Sequence, residues 1–160
     1  MTAQSHRIGP SGLDVSVVIP VCNERDNVLP LAREIHAAIE GRFRYETIFV
    51  DDGSTDGTAE AVRAARRDGM PEIRLVHHSV RAGQSAAVAT GVRAARAPWI
   101  ATLDGDGQND PGDIPNLLDA ARAAASPRLR LVMGNRTTRR DTWLRRLSSR
   151  VANGVRGWML

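Results

Sequence analysis

The chain contains no lysine and only one cysteine, Cys22, in 160 residues. A Walker-type phosphate loop needs its lysine, so a P-loop phosphotransferase is excluded. A lone cysteine closes no internal disulfide, which removes the disulfide-stapled secreted scaffolds. Cys22 lies inside a strand-like run and is expected to be a buried small hydrophobe. Aromatic residues make up only 4% of the chain, and no stretch approaches the roughly 18 uncharged apolar residues of a membrane-spanning helix. The opening residues MTAQSHRIGPSGL have no apolar run of the signal-peptide kind and are expected to be disordered over 1–13. A chain that is soluble, or that lies on a membrane without crossing it, is the expectation. Also missing is a G-x-G-x-x-G after the first apolar run, where VCNERDN stands. Its absence argues against a dinucleotide-dependent oxidoreductase.

What is present suits one globular domain, with 42% hydrophobic and 25% charged residues. VSVVIPV, YETIFVDD, IRLVHH, WIATLDGD and LRLVMG are short apolar runs rich in β-branched residues, the pattern of strands buried on both faces. Between them the spacing predicts helices over about 27–41, 56–68, 84–97 and 111–125. The last of these places Pro111 in its first turn and repeats Ile114, Leu117, Leu118 and Ala121 on one face. Ser54, Thr55 and Asp56 are candidate N-caps for the second, and Gly69 its stop. Strand and helix alternate with short connections, which predicts an α/β fold: a mostly parallel sheet flanked by helices.

Charge is distributed unevenly. Residues 136–160 hold seven arginines against Asp141, a net +6, which leaves residues 1–135 at −2. From Asp141 onward Trp143, Leu144, Leu147, Val151, Val155 and Trp158 fall largely on one helical face, with Arg145, Arg146, Arg150 and Arg156 elsewhere. That is a basic amphipathic helix. Its charge points to a phosphate-bearing partner, and the interleaved apolar residues favour a membrane surface over nucleic acid. Self-association through the same helix stays open, as does the plain reading of a solvated face.

In a parallel sheet ligands bind beyond the carboxyl ends of the strands. Three runs end there in polar clusters, so Asn23, Glu24, Asp51, Asp52, Asp104 and Asp106 can share one crevice. Two unit charges 4 Å apart repel by roughly 4 kcal/mol at an effective dielectric near 20, which predicts a bound cation. Oxygen ligands in D-x-D, with Gln108 close behind, suit Mg²⁺ or Mn²⁺ bridging to a diphosphate. Plainer readings stand beside these. D-x-D is common in surface turns, and DDGSTDGT is also a turn and helix cap. A calcium loop from Asp104 fails, with Asn109 where glycine and Pro115 where glutamate is needed. His77 and His78 read as strand-end packing residues. Gly83 either lets helix-start amides approach phosphate or is an ordinary loop glycine.

Together, VVIPVCNERDNV, FVDDGSTDGT, RAGQSAAVATG and ATLDGDGQNDP resemble the family-two glycosyltransferases of the GT-A fold. Within these the chain is similar to the dolichyl-phosphate and polyprenyl-phosphate sugar (mannose or glucose) synthases, over residues 14–160. The resemblance implies inverting, metal-dependent transfer of a hexosyl group from a nucleotide-diphosphate sugar to a polyprenyl phosphate, at the cytoplasmic face of a membrane. It assigns Pro20, Val21, Asn23, Glu24 and Gly83 to the nucleotide-sugar pocket, with Asp52 and Asp51 on the base or ribose. Asp104 and Asp106 become the D-x-D, with Asp106 the surer metal ligand and Gln108 its helper. MGNR resembles the family's G-S-R segment, which puts Arg136 near phosphate; Arg139 and Arg140 would join it at the acceptor. The implied division is a donor domain over 14–140 and a membrane-contacting helix over 141–160. Members of this branch continue further, so the acceptor side is expected to be truncated. The rival readings are a nucleotide-sugar-binding module without transfer and a family-two transferase with a non-lipid acceptor.

Overall fold

The computed structural model describes residues 11–124 together with residue 132. The fifth apolar run, Arg136, Arg139, Arg140 and the helix expected over 141–160 lie outside the described residues, apart from Val132 within that run. Eight elements alternate: β1 Val15–Val21, α1 Arg25–Ile39, β2 Tyr45–Asp52, α2 Thr58–Arg67, β3 Ile73–His78, α3 Gln84–Ala94, β4 Trp99–Thr102 and α4 Asp113–Ala123. All strand pairs are parallel, in the order β3-β2-β1-β4.

Burial on both faces explains the unbroken apolar runs. Val15, Val17, Ile19 and Val21 of β1, with Tyr45 and Phe49 of β2, face α1, α2 and α4 and meet Val28, Leu31, Ile35, Val62 and Leu118 in the larger core. Val18, Ile48 and Val50 point the other way onto Ala87 of α3. Each strand thus feeds alternate residues to two helical layers.

Helix ends shift from the periodic pattern by up to three residues, and at α3 and α4 other hydrogen bonds, tertiary after α3 and local before α4, take the backbone first. α3 stops at Ala94 instead of reaching residue 97. The Arg96 amide donates to Glu46 Oε1 at 2.7 Å and the Ala97 amide to Ser16 Oγ at 3.1 Å. α4 begins at Asp113, with Pro111 in the turn ahead of it. There Asp110 Oδ1 accepts from the Gly112 amide at 2.8 Å, and its carbonyl accepts from the Asp113 amide. Gly69, at φ +93°, follows α2 as the left-handed stop residue. Cys22 lies one residue past β1 and is only half-buried.

The chain walks outward from β1 to β2 to β3, then crosses back through α3 to place β4 on the other side of β1. The direction reverses between β1 and β4, and the crevice beyond their carboxyl ends is where such sheets bind ligands. Among the described residues no helix is long and apolar enough to cross a membrane.

The crossover helix lies so close to the sheet that Gly91 has no room for a side chain. A Cβ there would stand 2.3 Å from Val18 Cγ1 and 3.0 Å from Val50 Cγ2, both fully buried. Gly91→Ala is expected to destabilise the fold by about 1–3 kcal/mol, the usual range for overpacking. The shift in urea midpoint measures it, and the penalty should shrink in a Val18→Ala background.

Candidate active site at the carboxyl edge of the sheet

Parallel register pairs Asp51 with His77 and Asp52 with His78 across β2 and β3. A carboxylate only accepts, so each histidine donates from Nδ1: His77 to Asp51 Oδ2 at 3.1 Å and His78 to Asp52 Oδ1 at 2.8 Å. Asp51 Oδ1 also accepts from the Ser54 amide at 3.0 Å. Asp52 further accepts from the amides of Ala82 at 2.8 Å and Gly83 at 2.7 Å. The far nitrogen of His78 meets Thr90 Oγ1 of α3 at 3.0 Å. Both aspartates are buried, at 0% and 3% exposure.

These partners change the charge argument made from sequence. Asp51 and Asp52 are compensated by imidazole and amide donors within the protein, so they place no demand on a bound cation. Burial alone would push the Asp52 carboxyl up, but the Ala82 amide, His78 and the Gly83 amide together hold it below the ordinary aspartate value. In this geometry the two acids clamp loops, and the histidines read as packing residues are their specific donors. The strand register was the missing signal, because it alone sets each histidine beside its acid.

The loop after β1 is built by exchange with the loop after β2. Asn23, at φ +57°, donates its amide to Ser54 Oγ at 2.9 Å and accepts from the Thr55 amide on Oδ1 at 2.9 Å. The Glu24 amide donates to Thr58 Oγ1 at 3.0 Å, and its carboxylate accepts from Asn27 Nδ2. Asp56 Oδ2 takes the Arg25 amide at 3.1 Å while Oδ1 takes the Thr58 amide at 3.0 Å, so one side chain ties the starts of α1 and α2. Pro20 and Val21 are buried in β1 itself.

Asp104 and Asp106 follow β4, whose pairing is extended by the Leu103 amide on the Val18 carbonyl at 3.1 Å. Between them Gly105 is forced by contact. A Cβ would meet Val21 Cγ1 at 2.8 Å and the Pro20 carbonyl oxygen at 2.9 Å. The D-G-D turn is therefore pressed onto the end of β1, at the point where the strand order reverses. Asp104 is half-buried, with Oδ1 accepting from Gln84 Nε2 at 3.0 Å and Oδ2 facing Asn109 Nδ2 at 3.5 Å. Asp106 is exposed, with Oδ1 accepting from the Gln108 amide at 3.1 Å. Gly83, the residue before α3, already donates its amide to Asp52.

Among the described residues no three histidine, cysteine or acidic side chains converge as a self-sufficient metal site. Mg²⁺ and Mn²⁺ commonly take one or two carboxylates and complete their octahedron with water and substrate phosphate. The pair Asp104 and Asp106, all-oxygen and at the carboxyl edge where the strand order reverses, fits that manner of binding.

The model of glycosyl transferase family 2 matches residues 16–155. The chain belongs to this family. The matched span begins in β1 and extends beyond the described residues. Among curated relatives, dodecaprenyl-phosphate galacturonate synthase of Rhizobium johnstonii is 40% identical over 91% of this chain and 43% of its own length. Undecaprenyl-phosphate 4-deoxy-4-formamido-L-arabinose transferase of Edwardsiella ictaluri is 39% identical over 88% of this chain and 42% of its own. The chain thus spans less than half the length of these relatives. A mannosyltransferase of Pyrobaculum calidifontis, solved with GDP-Man and Mn²⁺, superimposes with a TM-score of 0.60 at 29% identity, over 72% of this chain and 33% of its own. The family-two sheet described above is accordingly of the GT-A type that the motifs led us to expect.

The clamp around Asp52 carries a pH signature. A carboxyl held below its unfolded value of about 3.9 stabilises the fold above that pH, and the contribution disappears as pH falls through the folded value. Asp52→Asn should therefore lower the thermal midpoint by several degrees at neutral pH, and the gap to wild type should narrow only as pH falls below about 3.9 toward the lower folded value. Melting curves across that range measure both.

Proposed function

We propose that the protein transfers a glycosyl group from a nucleotide-diphosphate sugar to a polyprenyl phosphate, with inversion at the anomeric carbon. The observation that carries this reading is the D-G-D turn docked by Gly105 onto β1 at the strand reversal, in a family-two chain. It sets one half-buried and one exposed carboxylate beside the crevice where a nucleotide would lie. Asp104 and Asp106 would hold a divalent cation there, Mg²⁺ or Mn²⁺, with Gln108 beside them. When bound, such an ion supplies Lewis-acid neutralisation of the departing diphosphate.

The remaining roles follow from position and chemistry. Pro20, Val21, Asn23 and Glu24 form the β1 wall of the nucleotide pocket. Asp51 and Asp52 shape that pocket by fixing the loops around it, and Gly83 turns the chain into α3 at its edge. An acceptor phosphate is already anionic, so no side chain need remove a proton from it, unlike a hydrolase that must activate water. Arg136, Arg139 and Arg140 would draw the acceptor phosphate to the donor. Residues 141–160 would lie on the cytoplasmic face of the membrane, each basic residue contributing ~1 kcal/mol near an anionic surface. The relatives named above are a galacturonate synthase and a 4-deoxy-4-formamido-L-arabinose transferase, which widens the proposed donor from a hexose to a glycosyl group in general.

Thermal stabilisation by a panel of nucleotide sugars with Mn²⁺ tests the donor half, because a ligand stabilises the native state by RT ln(1 + [L]/Kd). Asp106→Ala should remove the metal-dependent part of that stabilisation. Unchanged nucleotide-sugar affinity in the variant would take the D-x-D out of the site. Incubating the stabilising donor with polyprenyl phosphate then tests transfer; binding without product would make the chain a donor-binding module.

Binding to anionic vesicles tests the acceptor side. It should weaken as salt rises and vanish when residues 141–160 are deleted. Retention by the deleted chain would place membrane contact elsewhere.

A further inference from the structure

Gln84 opens α3 at the same sheet edge as Asp104, and its Nε2 donates to Asp104 Oδ1 at 3.0 Å. The two residues are 20 apart in sequence and sit on opposite sides of β4, one before it and one after. The backbone beneath Gln84 is held firmly. Asp52 binds the amides of Ala82 and Gly83, and His78 bridges Asp52 to Thr90 further along α3. Gly83, at φ +94°, lets the chain turn from that clamp directly into the helix at Gln84. On the other side of the contact, Asp104 sits between Leu103, tied to Val18, and Gly105, packed on Pro20 and Val21.

The kind of donor matters as much as its position. A neutral amide orients a carboxylate and leaves its charge intact for a cation. A lysine or arginine at this place would form an ion pair that an incoming cation has to break. The second contact to Asp104, from Asn109, is longer at 3.5 Å.

We propose that Gln84 is a positioning residue for the metal-binding turn: its amide holds the Asp104 carboxylate in the orientation that accepts a divalent cation together with a nucleotide diphosphate. The proposal rests on the donor-site reading given above. Gln84 acts through Asp104, and its own atoms need touch neither cation nor sugar.

Mn²⁺ uptake by the full chain, followed by loss of the aqueous Mn²⁺ spin-resonance signal in the presence of UDP and, separately, GDP, tests it. Gln84→Ala and Gln84→Met both remove the donor hydrogens, and the second keeps the length of the side chain. Each is expected to weaken Mn²⁺ binding about tenfold, the scale of one hydrogen bond to a charged group. Their thermal midpoints in EDTA should match wild type, because the contact is exposed. Wild-type Mn²⁺ affinity in either variant, alongside weakened binding by Asp104→Asn, would overturn the role of Gln84 and leave the D-x-D reading standing. A fall of several degrees in EDTA would show a general structural role and overturn it as well. A wild-type chain that takes up no Mn²⁺ with either nucleotide would overturn both the donor-site reading and this proposal.

Discussion

A buried carboxylate must be given partners, and the way Asp52 obtains them organises the working edge of this sheet. Its donors come from β3 through His78 and from the loop ahead of α3 through Ala82 and Gly83. One side chain thereby fixes the spacing of two strand tips and the entry of the crossover helix. Without such donors a buried carboxylate would protonate or pull the loop into water. With them, it stays charged and rigid, and α3 starts where Gln84 reaches the turn that carries Asp104.

The opposite edge handles its charge differently. Glu46, 3% exposed, lies at the amino end of the sheet. Burial would push its carboxyl up, but Arg74, Ser16 and the Arg96 amide outweigh that and hold it below the ordinary glutamate value. Asp14 there accepts from Arg122 at 2.7 Å and from the Arg44 amide at 2.9 Å, while Arg122 stacks 4.7 Å above the Phe43 ring. Tyr45, Glu72 and His36 share a further cluster. These groups close the amino edge by satisfying one another. At the carboxyl edge Asp106 is exposed, with Oδ1 accepting from the Gln108 amide at 3.1 Å. The amino edge is thus closed by mutually satisfied side chains, while the carboxyl edge keeps an exposed carboxylate.

Close backbone approach is the second device that shapes the site. Gly91 lets α3 settle onto Val18 and Val50, and Gly105 lets the D-G-D turn press on the end of β1. Glycine has the least side-chain bulk to displace and the widest backbone freedom. The glycine inside D-G-D is consequently part of how the carboxylates are aimed, as well as a spacer between them.

Period and composition were enough to determine the alternating elements, the parallel sheet buried on both faces and the strand tips that carry polar clusters, because each depends on local hydrophobic pattern. The same motifs led to the family and to the D-x-D. Helix ends were less legible, since the amides of Arg96 and Ala97 are claimed by Ser16 and Glu46 from distant strands. Which acids are already held by donors within the protein was not legible. Asp51 and Asp52 look as available as Asp104 and Asp106 in a linear sequence, yet strand register places His77 and His78 beside the first pair and none beside the second. Register and crossover are properties of chain segments brought together from far apart, so only the tertiary structure could decide which carboxylates are buried against donors within the protein and which keep exposure to solvent.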